Sequence, residues 1–500
     1  LRATYPPGLD LAPGCEHAML PDGAHHRSTD YTVFILNRDG VYGLPLDPQS
    51  DAVGAPRLLH CLSVVQTKRL DGAKRGAVMR AVALATPYQV CCKAHMQRRM
   101  CQLLTPPTQF VDQFQSLLHD VLEAHFETND DGVLEAVFTA VNSMDMSACP
   151  RLRRLDRSVL RATTALPAKS LGSVIATNHA PLFFKTQVGW GGKTYPVRIP
   201  LNHEPDCIGD ASLVRLTMRF QGNLMKIYDA ILRQKRVMFF GDKTESAGDV
   251  VSCVVAAALM VAPPLRGVIR RVFPYVSLNQ LQQFVDVPGY IAGVTNPMFC
   301  DKTQWWDVLC DVGSGDVRLF KADGNAWQAA DATFQAKALA GARLGEDFLR
   351  DSFTSHTQVN VNLCARYQQY VSRKGSSAMP TAASLTRIQE VAATEQYVSY
   401  AAARAAFEDM PPACFFPPHP QASSLRGHVF HIKSARPLTE TQLLRVYADL
   451  EKHVVEPDDV KALVSFFPES QGGMHAFGVG LLHPNATIRR HTVHILRRVE

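Results

Sequence analysis

The chain has 500 residues, 46% of them hydrophobic and 20% charged, with a formal net charge of +6. That length exceeds what one hydrophobic core organises and predicts two to four domains, while the ordinary composition excludes wholesale disorder. Twelve scattered cysteines without a repeated CxxC pair suit a reducing cytosol, and the longest strongly apolar run, 250–262, is too short to span a bilayer as a helix. A cytoplasmic location is therefore expected, with any membrane contact indirect or through a basic patch, and nucleic acid is not an expected partner. The first residue is Leu1, which leaves open a targeting signal upstream.

In chain order, DYTVFIL (30–36) lies between the turn clusters LPDG (20–23) and NRDG (37–40) and predicts a strand in a hairpin-rich sheet. A second apolar segment follows at 58–65, and the spacing predicts a helix over 74–84. Phe110, Phe114, Leu117 and Val121 recur at helical spacing in a helix that residues 129–132 end. Strands followed by helices make the first 150 residues a compact α/β module. Within it, Lys68, Arg69, Lys74, Arg75, Arg80, Lys93, Arg98 and Arg99 face only Asp71 between residues 65 and 100. Such a patch suits acidic lipid or the acidic surface of a partner protein; the plain alternative is a solvated helix face.

Residues 149–210, with Arg151, Arg153, Arg154, Arg157 and a GWGGKTYP loop at 189–196, read as a linker or excursion. Leu213, Leu216 and Phe220, then Leu224, Ile227 and Ile231, mark helices; RVMFF (236–240) is a buried strand and 249–262 a helix with Asp249 near its N-terminus. A short strand over 268–273, a helical turn over 278–284 and a strand over 290–294 complete βαβ units, which imply a largely parallel sheet. Beyond Trp327, segments 331–352, 358–373 and 385–407 predict helices, separated by 375–380 and the proline-rich 410–420. In the last helix Ile488, Thr492, Ile495 and Val499 share one face, and Arg490, His494 and Arg497 another.

Catalytic constellations are not visible. GGKT (191–194) is no Walker loop, because the position that needs a glycine is Gln187, and GDKT (241–244) reads as a plain β-to-α connection. HExxH, CxxC and GxSxG are missing, and the pairs His25 with His26 and His428 with His431 lack acids or cysteines at ligand spacing. No catalytic residue, metal or cofactor is expected. Trp305 and Trp306 are adjacent, so they cannot both face inward on one element, and one of them is a candidate partner contact.

Five stretches carry a resemblance: LPDGAHHRSTDYTVFIL (20–36), VQTKRLDGAKRGAVMRAVALAT (65–86), AVNSMDM (140–146), ILRQKRVMFFGD (231–242), and FPYVSLNQLQQFVDVPGYIAGVTNPMF followed by WWDVLCD (273–311). They resemble the DENN-domain superfamily, most closely its fungal branch of Arf-interacting docking-domain and polarity-axis stabilisation proteins. The resemblance implies a longin-like α/β lobe over 1–148 that lacks its first strand, the excursion 149–210, a central α/β lobe with a mainly parallel sheet over 211–325, and an all-α lobe over 326–500. It further implies a small-GTPase-binding regulator of vesicle traffic, leading with Rab nucleotide exchange and, as the alternative, an Arf-family effector or scaffold for polarised traffic. On that reading Lys68, Arg69, Lys74, Arg75, Arg80, Asn296, Trp305 and Trp306 are the expected GTPase contacts, dispersed because exchange makes no covalent bond and works by stabilising an open state of the GTPase.

Overall fold

The computed structural model divides the chain into two units, one of Leu1–Ala148, Lys185–Ile199 and Pro205–Tyr397, the other of Cys149–Phe184, Pro200–Glu204 and Val398–Glu500. It describes residues 3–5, 15–37, 58–69, 77–87, 113–145, 183–200, 212–262, 264–265, 267–320, 329–372, 382–408, 439–465, 477–481, 483 and 485–499. The fold is mixed α/β.

The first unit opens with helix α1 (Cys15–Met19) and an antiparallel meander of β1 (Thr29–Asn37), β2 (Leu58–Arg69) and β3 (Ala77–Pro87). The helix expected over 74–84 is instead β3. Its alanines favour a helix locally, but β3 pairs with β2 along its whole length, from Arg69 opposite Ala77 to Leu59 opposite Pro87. Those ladder bonds outweigh a few tenths of a kcal/mol of propensity per residue. The register puts Tyr31, Val33, Leu62, Val64 and Val82 on one face. On the same face Gln66 Nε2 donates to Glu123 Oε1 at 3.1 Å in helix α2 (Gln115–Thr128). The opposite face holds α1 through Phe34, Leu36 and Cys61, with Thr32 Oγ1 donating to Ala18 O at 2.8 Å. Helix α3 (Gly132–Asn142) follows α2 after Asn129, which takes the left-handed φ of 54° at the helix end.

The stretch expected as a loop at 189–196 is the turn of a two-stranded ribbon, β4 (Phe183–Trp190) and β5 (Lys193–Pro200). Gly191 and Gly192, at φ 59° and 74°, supply the two positive φ values such a tight hairpin needs.

Helices α4 (Leu213–Phe220) and α5 (Leu224–Leu232) lead into a five-stranded sheet of order β10-β9-β6-β8-β7, comprising β6 (Val237–Phe240), β7 (Val272–Phe273), β8 (Ile291–Val294), β9 (Val308–Asp311) and β10 (Val317–Leu319). β6, β7, β8 and β9 are parallel and β10 is antiparallel at the edge. Of the strand expected over 268–273 only Val272–Phe273 pairs; Val268–Arg271 is a 3-10 turn led by Gly267 at φ 80°. Between β6 and β7 runs helix α6 (Ala247–Ala258), whose Ser246 cap accepts from Asp249 N. Ten of its twelve residues are buried, as a helix packed on two sides requires: it lies against β1 of the meander and against β6, β7 and β8.

Helices α7 (Ala329–Gly341) and α8 (Glu346–Ser372) pack on α4 and α5 in this unit, and α9 (Ala382–Ala392) packs on α8. The helix expected over 331–352 breaks at Gly345, whose φ is 98°, and the next then runs unbroken through Ser352. The one expected over 385–407 divides into α9 and α10 (Glu395–Glu408), because Thr394 Oγ1 accepts from Tyr397 N and starts a new helix. A buried ion network ties these helices. Arg387, 2% exposed, sets Nη1 at 2.5 Å from Asp331 Oδ2, with Nε 2.9 Å from Asp229 Oδ1 at an angle too bent for a hydrogen bond. Arg233 joins Asp229 at 2.8 Å and also pairs with Glu390, and His356 joins Asp331 at 3.0 Å while stacking on Phe334.

The second unit holds α11 (Glu440–His453), α12 (Pro457–Ser465) and α13 (Ala486–Val499) around Leu443, Tyr447, Leu450, Leu463, Phe477, Ile488 and Ile495. Thr439 and Gln442 form a capping box at the start of α11. The apolar face expected in the last helix is the buried one. On its other face Arg490 and Arg497 are exposed, whereas His494 reaches Glu451 of α11 at 2.7 Å.

Candidate functional site

The expected contact residues fall into two groups. Lys74 and Arg75 lie outside the described residues, as do Lys93, Arg98 and Arg99. At the ends of β2 and β3, Lys68 Nζ lies 4.9 Å and the Arg80 guanidinium 4.6 Å from the centre of the Phe126 ring. Arg80 donates to His125 O at 2.7 Å and to Asn129 Oδ1 at 2.9 Å, so it caps the carboxyl end of α2, where the helix dipole favours a cation. Arg69, on the opposite side of the strand, is exposed. The basic run is thus not one patch: Arg80 is committed to the fold, Lys68 is half-buried beside it, and Arg69 alone of the three presents its charge fully to solvent.

The second group stands at and beyond the carboxyl end of β8. Asn296 Oδ1 accepts from Met298 N at 3.0 Å and Asn296 Nδ2 donates to Asp22 Oδ2 at 3.1 Å. Trp306 is 3% exposed, with Nε1 donating to Phe299 O at 3.0 Å. It is core and presents no contact surface, which corrects its expected role. Trp305 is half-buried and packs edge-on to Phe299 at 5.4 Å. Adjacent tryptophans do both meet one apolar cluster here, because the chain leaves a 3-10 turn between them and points them differently from an ideal helix or strand. Arg236 fixes that bend: its guanidinium makes 2.8 and 3.1 Å bonds to Asp307 and donates to Gln304 O at 2.6 Å.

Local sequence patterns did not reveal the residues that fill the carboxyl edge of the sheet. In open α/β sheets this edge is where ligands bind. Here the segment 20–31 occupies it. Asp22 N donates to Tyr275 Oη at 3.0 Å, and Thr295 Oγ1 donates to Asp22 O at 3.0 Å. Arg27 Nη2 donates to Lys243 O at 3.0 Å. Asp30, 7% exposed, accepts from Ala247 N at 3.1 Å and Gly248 N at 3.4 Å, setting a carboxylate on the amino end of α6 where nucleotide folds set a phosphate. Tyr31 packs against Gly248 so closely that a Cβ there would lie 2.2 Å from the ring. On the other side of β6, Arg219 donates to Val312 O at 2.6 Å and Glu245 Oε2 at 3.0 Å. The GDKT stretch is a β-to-α connection in which Asp242 accepts from Thr244 N at 2.7 Å.

The arrangement is a clamp that joins the meander to the parallel sheet through α6. Asp30→Ala is expected to cost about 2 kcal/mol, from the charged helix-end contact and the ion pair with Arg27, whose Nη1 lies 3.4 Å from Asp30 Oδ2, read as a lower urea midpoint; an unchanged midpoint would show the clamp to be incidental. Among the described residues no group of three or more His, Cys, Asp or Glu side chains is placed to hold a metal, and no helix is long and apolar enough to cross a membrane.

Residues 210–321, which contain the parallel sheet, match the sequence model of a family described as stabilization of polarity axis. An AFI1-like protein of Schizosaccharomyces pombe is 22% identical over 563 residues, spanning 96% of this chain and 88% of its own length. The similarity therefore lies with the fungal polarity branch.

Proposed function

We propose that this chain is a scaffold for polarised membrane traffic that binds an Arf-family GTPase, in the manner of an effector. The observation that carries the reading is the similarity to an AFI1-like protein along 96% of the chain, together with the polarity-family match over 210–321. The clamp supports it physically. Recognition of a GTPase needs a broad surface of about 1,200–2,000 Å² in total. The meander and the parallel sheet, locked through Asp22, Asp30 and Tyr31, supply such a surface from two modules without reorganisation on binding. In this reading the meander corresponds to a longin-like lobe over 1–148, the parallel sheet to the central DENN-type lobe over 211–325, and the helices over 326–500 to a third lobe. The protein works in the cytoplasm and is recruited peripherally to membranes. Rab exchange, the leading expectation from sequence resemblance, has no finding behind it.

The test is a panel of Arf and Rab GTPases loaded with fluorescent GDP or a GTP analogue. Expected is binding to a GTP-loaded Arf at least tenfold tighter than to its GDP form, with nucleotide release unchanged. Accelerated release from a Rab would replace this reading by exchange, and equal affinity for both Arf forms would remove the effector assignment.

A further inference from the structure

Among the described residues, strand β10 is an open edge of the five-stranded sheet. It runs antiparallel to β9, with Val317 opposite Cys310, Arg318 opposite Leu309 and Leu319 opposite Val308. The ladder fixes which way each backbone group points. Asp311 N donates to Asp316 O at 2.8 Å and Phe320 N to Asp307 O at 2.9 Å, so residues 316, 318 and 320 turn their backbone groups toward β9. Val317 and Leu319, between them, turn theirs away from the sheet. The edge is also held in place. At the β9–β10 turn Gly315 takes φ 76° and its carbonyl accepts from Asn223 Nδ2 at 3.0 Å, while Arg219 donates to Val312 O.

Sheets protect an outer strand by keeping it short and by placing charge on it, and β10 is three residues long with Arg318 exposed at its centre. Two features go beyond protection. Leu319 is 43% and Phe320 46% exposed, apolar surface that a closed edge does not need. Asp316 and Arg318, opposite charges two positions apart and so on one face, are both exposed. The edge therefore favours a partner strand that presents an acid to Arg318 and a base to Asp316. The same strand, reversed, does both.

We propose that β10 is the contact through which the chain pairs with a second copy of itself, antiparallel about a two-fold axis. With the axis at Val317, the outward N–H of Val317 in each copy donates to the Val317 carbonyl of the other, and Asp316 of each stands across from Arg318 of the other. Side chains across such a non-hydrogen-bonded pair are the closest in an antiparallel ladder, where opposite charges attract and like charges repel. An axis at Arg318 would set the two arginines face to face, so the charges favour the first register. On the other face the two Val317 side chains meet, with Leu319 diagonal to each. The two sheets then continue as one. A foreign strand could also meet the outward amides; the reciprocal charges are what favour a copy. The inference does not depend on the GTPase reading, and its assay contains no GTPase.

Sedimentation equilibrium of the full chain over roughly a hundredfold range of concentration is expected to show a reversible dimer that weakens with added salt. Val317→Pro removes the outward donor while sparing the β9 ladder, and is expected to be monomeric with an unchanged circular dichroism spectrum. Arg318→Asp and Asp316→Arg are each expected to weaken the dimer roughly tenfold or more, since each turns two attractive pairs into repulsive ones. Mixed in equal amounts, these two variants are expected to associate as the original does, because every acid again faces a base. A chain that stays monomeric, a dimer that survives Val317→Pro, or two charge variants that fail to recover when mixed would overturn the proposal. So would edge variants that change only the capture of a different protein.

Discussion

Gly293→Val is expected to leave the first unit unfolded, seen as loss of cooperative thermal unfolding and rapid proteolysis. A Cβ at this position would lie 2.3 Å from Pro274 O, 2.8 Å from Val250 Cγ1 and 3.0 Å from Val254 Cγ2. The first of these is backbone and cannot swing aside, and the valines belong to α6, which is held from behind by β1. Overpacking a core that cannot yield costs roughly 3 kcal/mol or more, a large share of the stability of any domain. Even Gly293→Ala meets all three atoms and is expected to be strongly destabilised. Asn296→Ala, three residues on, loses one 3.1 Å bond to Asp22 and the Met298 cap and is expected to fold, at a cost of about 1 kcal/mol. It is therefore the variant with which to ask whether the turn after β8 contributes to GTPase affinity. If Gly293→Val unfolds normally with an unshifted midpoint, the close approach of α6 to β8 does not govern the fold.

Arg387→Leu is the second change expected to have a large effect. Its guanidinium is buried between α5, α7 and α9 and faces Asp229 and Asp331. Removing it takes a buried cation from Asp331, 4% exposed, which His356 also joins at 3.0 Å. Breaking a buried pair in this way costs about 3–5 kcal/mol, read as a lower urea midpoint. Replacing both charges, Arg387→Leu with Asp331→Leu, is expected to recover much of that loss, since a buried pair exchanged for apolar side chains is often neutral. A double variant no better than the single one would mean that Arg387 acts mainly through Asp229.

Much of the local structure was legible in the sequence because it depends on local patterns. Leu213, Leu216 and Phe220 are core residues of α4, and the apolar run of β6 is buried throughout. The failures have physical causes. A helix over 74–84 is locally plausible, since Ala77, Ala81 and Ala83 favour one, and the pairing of β3 with β2 that overrides them is not a local property. The break between α9 and α10 was missed because Thr394 caps a helix without any glycine or proline to mark it. The clamp was hardest to foresee: Asp22 and Asp30 meet Asn296 and Ala247 more than two hundred positions away, and no periodicity encodes that meeting. The motif that contains both aspartates was nonetheless visible as a stretch of family resemblance, without a role attached. Of the expected contacts, Arg80 is drawn to the carbonyls at the end of α2 and Trp306 into the apolar cluster of the sheet, where its indole N–H also finds an acceptor.

The Asp30 contact also separates two lengths of chain that are easily taken for one. The match over 210–321 begins after the aspartate that closes the amino end of α6 and stops before Asp331 and Arg387, the buried pair beside Asp229. A protein cut at those limits would carry bare amides at Ala247 and Gly248, an open slot where Tyr31 sat, and an Asp229 left with Arg233 but without the Arg387 beside it. The recognisable block is thus shorter than the compact unit whose contacts it completes.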